Sequence, residues 1–186
     1  AMFRKRIPSV VSSYSLIHTT TGTLTFVANN HKLGGGGTFD GSSYITIDNH
    51  AKLNVTTISF GGWFYLPATD SGDTDSQVLI DKGAYSLTID PHATAANQLR
   101  ATVEAFSAVT LETEIPANLQ TEDSLDLEGD ELGDVDITYA FNANAWNHIW
   151  VTIGEPNMKL YLNGSVVAST TALGTVQTNS NDLIIG

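Results

Sequence analysis

Apolar and polar residues alternate with period two along most of the chain, and the clearest stretch lies near its end. Ala145-Trp146-Asn147-His148-Ile149-Trp150-Val151-Thr152-Ile153 is one such run. A Gly-Glu-Pro-Asn turn separates it from Met158-Lys159-Leu160-Tyr161-Leu162, which leads through Asn163-Gly164 into Ser165-Val166-Val167. Asn-Gly between alternating hydrophobics is a strong hairpin signal, because both residues tolerate the positive φ of a type I′ turn. The block predicts three consecutive antiparallel strands. Similar runs recur at 23–28, 44–47, 58–66, 77–81, 85–89, 99–106 and 135–141, and a last one at 183–185. Glycine, asparagine and aspartate punctuate them, and no segment keeps a 3.6-residue period long enough for a crossover helix. Many short strands without helices predict an all-β fold, a two-sheet antiparallel jelly-roll sandwich.

Sorting the runs by face separates core from surface. Between residues 58 and 66, Ile58, Phe60, Phe64 and Leu66 share one face, while Ser59, Gly61, Trp63 and Tyr65 share the other. In the final block, Ile149, Val151, Ile153, Leu160 and Leu162 read as core, which leaves His148, Trp150 and Tyr161 on the opposite side. A tight turn at 154–157 sets Trp150 directly across from Tyr161, a favourable aromatic pair. Trp63, Tyr65, His148, Trp150 and Tyr161 are therefore the candidate ligand-binding residues. Two readings stand: a platform on which sugar rings stack, or aromatics half-covered by loops on the second face of a large sheet.

A chain of 186 residues fits one such domain. Residues 1–37 read as an N-terminal extension with extra strands and 112–136 as an acidic loop insertion. Leu33-Gly34-Gly35-Gly36-Gly37-Thr38 reads as a connector, since four glycines hold a regular strand at high entropic cost. There is no cysteine, so disulfides and thiolate metal sites are excluded. No apolar run is long enough to span a bilayer, and the basic residues Arg4, Lys5 and Arg6 precede no apolar signal segment. The formal net charge is −12, and ten of the twenty acidic residues fall between Glu112 and Asp136. Such a surface repels polyanions, which argues against nucleic acid and anionic lipid and favours a neutral glycan or a protein partner.

The acidic residues admit two chemistries, metal binding and glycoside hydrolysis. Asp70-Ser71-Gly72-Asp73-Thr74-Asp75 places three carboxylates in six residues, an oxygen-rich loop of the kind calcium takes. Asp40, in Phe39-Asp40-Gly41, is a further candidate metal ligand. The alternative for all four aspartates is turn chemistry, in which the carboxylate bonds its own backbone. Asp126, Glu128 and Asp130 fall at period two, as a pair of glycosidase carboxylates would, yet they sit among ten acids with no apolar cover to raise a pKa. A solvated acidic loop explains them better. The five histidines show no metal-ligand spacing, and no Gly-x-Ser-x-Gly elbow occurs.

Several stretches in order resemble the laminin G-like jelly rolls of the concanavalin A-like lectin/glucanase superfamily. They are Phe39-Asp40-Gly41-Ser42-Ser43-Tyr44-Ile45, Ile58-Ser59-Phe60-Gly61-Gly62-Trp63-Phe64, Trp146-Asn147-His148-Ile149 with Leu160-Tyr161-Leu162-Asn163-Gly164, and Leu183-Ile184-Ile185-Gly186. The resemblance implies a non-catalytic, lectin-like module that binds glycans or proteins, of the sort found in secreted proteins, adhesins or phage tails. It also implies one calcium near the rim, with Asp40 as a donor. The glucanase branch would need a Glu-x-Asp-x-Glu strand, to which Glu128-Gly129-Asp130-Glu131 is a poor match. Members continue past Ile-Ile-Gly with one more strand. The expectation is that the N-terminal segment fills that position, or that a neighbouring copy does so as a homo-oligomer through an incomplete sheet edge.

Overall fold

The computed structural model of the chain describes residues 18–27, 36–68, 77–90, 97–106, 132–171 and 173–186. Thirteen strands account for most of them: β1 (His18–Thr21), β2 (Thr25–Val27), β3 (Gly36–Thr38), β4 (Tyr44–Ile47), β5 (Ile58–Leu66), β6 (Gln77–Asp81) and β7 (Tyr85–Asp90), followed by β8 (Gln98–Phe106), β9 (Leu132–Ala140), β10 (Ala145–Gly154), β11 (Asn157–Leu162), β12 (Ser165–Thr170) and β13 (Leu183–Ile185). They form a seven-stranded sheet in the order β1-β4-β13-β6-β7-β8-β9, a four-stranded sheet in the order β12-β11-β10-β5, and a β2-β3 ribbon. Every pairing is antiparallel. The fold is the expected two-sheet jelly-roll sandwich. A single 3-10 turn, Ala51–Leu53, is the one helical element among the described residues.

The core sits where the inner faces of the two sheets meet. Leu87, Leu99 and Val103 from the larger sheet and Ile149, Val151, Met158 and Leu160 from the smaller are fully buried. Ile58, Phe60 and Phe64 pack against them as the alternation predicts. Phe60 also meets Tyr85 of the facing sheet, with ring centroids 5.1 Å apart.

One buried group is not apolar. Lys82, in the β6–β7 turn, is 1% exposed. Its Nζ donates to Asn179 O and Oδ1, both at 3.2 Å, and to the carbonyl of Asn181. These acceptors lie on the segment that leads into β13, the strand that joins β4 to β6. Burial lowers the Lys82 pKa below its ordinary value, and the Asp182 carboxylate acts in the opposite direction.

Two expectations, at Gly36–Thr38 and Leu132–Asp134, are corrected. Gly36–Thr38, read as part of a connector, is strand β3, with Phe26 opposite Gly37 and Val27 opposite Gly36. Ladder bonds use only backbone groups, so a strand-forming partner can hold glycines that would not form a strand alone. The extended segment near the N-terminus is His18–Thr21, which pairs with β4 at one edge of the larger sheet. Leu132–Asp134, expected as the tail of the acidic loop, opens β9, which continues through the strand expected from Val135. There Asp134 and Asp136 point outward and alternate with Val135 and Ile137. Asp136 accepts from Thr102 Oγ1 at 2.6 Å and pairs with Arg100 at 3.4 Å across the strand. The rest of the acidic stretch, with Asp126, Glu128, Asp130 and Glu131, lies outside the described residues.

Candidate functional site

The outer face of the four-stranded sheet collects the aromatic side chains. β10 is central, with β5 on one side and β11 on the other, and the register sets out rows across the strands. Tyr65 lies opposite Trp146, Trp63 opposite His148, and Gly61 opposite Trp150, which is itself opposite Tyr161. Tyr161 in turn pairs with Val166 of β12 across a bulge. Successive rows are about 7 Å apart along the strands, since each residue of an extended chain advances about 3.4 Å. Exposure along this face is uneven, with His148, Tyr161 and Trp146 half-buried. Trp63 is 39% exposed, Tyr65 54% and Trp150 37%, whereas core residues on the same strands are near zero.

The rings hold one another. Trp63 and His148 meet with centroids 5.0 Å apart, and His148 stacks on Trp150 at 6.1 Å with only 14° between planes. Tyr65 meets Trp146 edge-on at 5.8 Å. Such contacts hold rings that would otherwise rotate. Asn163 adds a clip: its Oδ1 accepts from His148 N at 2.9 Å, and its own N–H donates to His148 O at 2.8 Å. Asn163 and Gly164 adopt φ of 51° and 87°, the expected left-handed pair of the hairpin turn. Between this turn and the rings lies a shallow depression of about 310 Å³ lined by His148, Trp150, Tyr161 and Gly164.

Gly61 is a residue of the site that strand parity placed on this face without giving it a role. Its φ is 151°, and a side chain there would lie 2.9 Å from Trp150 Cε3 and 2.1 Å from Ile149 O. The Trp150 ring therefore leans onto bare backbone. Trp146 was also missed as a platform member, although it shares the parity of His148 and Trp150. Asn147, between them, faces inward and is fully buried. Its Nδ2 donates to the carbonyls of Asn142 at 2.8 Å and Ala145 at 3.0 Å, which fixes the turn that launches β10.

Of the metal candidates, Asp40 lies among the described residues. Asp40 Oδ1 accepts from Ser42 N, Ser42 Oγ and Ser43 N, each at 2.9 Å, which is the turn chemistry named above as the alternative. These bonds, the Ser42 backbone N–H foremost, lower its pKa from 3.8 to about 2. Asp70, Asp73 and Asp75 lie outside the described residues. Among the described residues no three His, Asp or Glu side chains stand together as a metal cluster.

A depressed carboxylate contributes to stability above its unfolded pKa and loses that contribution as pH falls through the folded value. The turn is thus expected to stay closed down to about pH 2. An NMR titration should find the Ser42 and Ser43 amides moving with a midpoint near 2. A midpoint near 3.8 would mean the three bonds do not form in solution.

Comparison with known proteins fits this geometry. A laminin G-like family model described as the concanavalin A-like lectin/glucanases superfamily matches residues 39–186. No curated protein matches the chain. Among solved structures, domain 4 of AbnA, a GH43 extracellular arabinanase from Geobacillus stearothermophilus in complex with arabinotriose, aligns with a TM-score of 0.55 at 15% identity. That alignment covers 91% of this chain and 72% of the other. A mutant of HCR/D aligns with a TM-score of 0.59 at 11% identity over 95% of this chain, which spans only 40% of the HCR/D chain. At such identities the two likenesses show a shared fold. With the family match covering the sandwich from Phe39 to Gly186, the chain belongs to the concanavalin A-like lectin/glucanases superfamily.

Proposed function

We propose that the chain is a non-catalytic carbohydrate-binding module whose glycan lies along the outer face of the smaller sheet. The observation that carries this reading is the open, mutually braced row of Trp63, His148 and Trp150, flanked by Tyr65 and Tyr161. Indole and phenol rings offer flat apolar faces to the C–H face of a sugar, while His148 and the tyrosine hydroxyls supply hydrogen-bonding groups to sugar hydroxyls. A sugar-binding domain with this fold, domain 4 of AbnA with arabinotriose, supports the assignment to glycans. The non-catalytic reading draws support from the strands themselves. Glycoside hydrolysis ordinarily needs two carboxylates around the bond, and β5, β10, β11 and β12 contain no Asp or Glu.

Glycan-array screening followed by calorimetry tests this. Trp150→Ala should weaken the best glycan by about 30-fold, equivalent to about 2 kcal/mol for a central aromatic anchor. Because the ring lies on the outer face of the sheet and outside the core, the far-ultraviolet circular dichroism spectrum should not change. Binding that survives both Trp150→Ala and Trp63→Ala in folded protein would remove the platform from consideration. The same titration with and without calcium tests the oxygen-rich Asp70–Asp73–Asp75 loop, which is proposed as a calcium site on its spacing alone. Heat on adding calcium to the free protein is the expected result there, and a flat titration is the contrary one.

A further inference from the structure

The charge of this protein is divided between its sheets. Strands of the larger sheet carry Asp81, Asp90, Glu104, Asp134 and Asp136. The four strands of the smaller sheet carry no acidic residue, within a chain of net charge −12. Their flanking acid, Glu155 in the β10–β11 turn, has Oε1 engaged by the Val176 N–H at 3.1 Å. The same strands carry one permanent cation, Lys159 on β11. Its chain neighbours Met158 and Leu160 are fully buried, so strand alternation turns Lys159 outward, and it is exposed. It stands opposite Thr152 of β10 and Ser169 of β12, one pleat beyond Tyr161. The distance from the Trp150–Tyr161 row is about 7 Å. Among the described residues it has no carboxylate partner, whereas Arg100 on the larger sheet is paired with Asp136.

We infer that the glycan bound on this platform carries a carboxylate, and that Lys159 receives it. This rests on the reading of the face as a glycan site and names the class of sugar. A mainly neutral oligosaccharide stacks on Trp63, Trp150 and Tyr161, and an acidic unit of uronic or sialic type at its end meets the Lys159 ammonium. Lysine serves this as a compact charge on a long stem, with three donors for a carboxylate that approaches from different angles. The overall negative charge sets the limit on the ligand. Its repulsion is screened over about 8 Å at physiological ionic strength, so one carboxylate beside Lys159 is governed by the local cation. A sulfated or polyuronic chain, extending beyond the acid-free sheet, meets the acidic surroundings and is disfavoured.

Calorimetry at physiological salt with matched pairs tests the inference. The probes are oligosaccharides ending in glucuronate, galacturonate or sialate, each beside its own methyl ester, which keeps the ring and removes the charge. For at least one pair the free acid should bind about fivefold tighter than the ester, the upper range of an exposed ion pair. In Lys159→Met the acid and ester should bind alike, and in Lys159→Glu the ester should be preferred. Equal binding of acid and ester by the unaltered protein, or a preference that persists in Lys159→Met, overturns the inference. So does binding of neutral glycans alone. In each case a loss of binding in Trp150→Ala still upholds the platform, whereas binding indifferent to Trp150 in every arm overturns the platform reading itself.

Discussion

Gly61→Ala is expected to lower the melting temperature by about 10 °C or more, or to prevent folding, while Gly62→Ala next to it is nearly neutral. The difference lies in what a methyl group would meet. At Gly61 it would lie 2.1 Å from Ile149 O and 2.8 Å from Trp150 Cα. Both atoms belong to the backbone of β10, which is held between β5 and β11 and cannot retreat. The φ of 151° adds strain for any residue with a side chain. A clash of this depth with strained backbone falls in the class of substitutions costing more than about 3 kcal/mol. For a domain of this size each kcal/mol corresponds to about 2–4 °C. At Gly62 the nearest atoms are Phe64 ring carbons at 3.8 and 3.9 Å, an ordinary contact. Thermal unfolding of the two variants side by side gives the answer. Equal melting temperatures would mean that β5 and β10 do not approach as described.

Lys82→Met is the second substitution with a large expected effect, about 3 kcal/mol or more. Methionine keeps most of the apolar stem but removes the ammonium that three acceptors share, the carbonyls of Asn179 and Asn181 and the Asn179 side chain. Hydrogen bonds from a charged donor contribute about 1.5–3 kcal/mol each, and a buried acceptor left unpaired adds its own desolvation cost. The consequence extends beyond the turn, because residues 179–182 deliver β13 to the middle of the larger sheet. Asp182 Oδ1 also accepts from Asn49 N at 2.9 Å, so loss of Lys82 loosens the approach to β4 as well. Calorimetry should show a melting temperature lower by about 6–12 °C. Hydrogen exchange should localise the loss to β13 and its neighbours. A shift of less than about 2 °C would show that water replaces the ammonium at little cost.

The strand pattern was legible because burial on one face leaves a period-two trace that no other element produces. The alternation at 58–66 and 145–162 placed Ile149, Val151, Leu160 and Leu162 in the core and set Trp150 opposite Tyr161, as the register shows. Asn163-Gly164 announced its turn because few other residues accept two successive positive φ values. The reading failed where a partner strand supplied what local composition lacked. Gly36–Thr38 pairs because β2 lies beside it, and Leu132–Asp134 is extended because it pairs with Glu104–Phe106 of β8.

By itself, then, the sequence determined the sandwich, the two faces of each strong strand and the aromatic inventory of the platform, since all three follow from side-chain alternation within single strands. Only the tertiary structure decided what depends on distant segments meeting. It showed that Trp63, Tyr65 and Trp150 are exposed, that Trp146 lies beside Tyr65, and that Lys159 stands one pleat beyond Tyr161 on strands free of acids. It set Lys82 under residues 179–182, about a hundred positions away in the chain. It also separated Gly61 from Gly62, identical neighbours in the sequence, because a methyl group on Gly61 would run into the backbone of β10 and one on Gly62 would not.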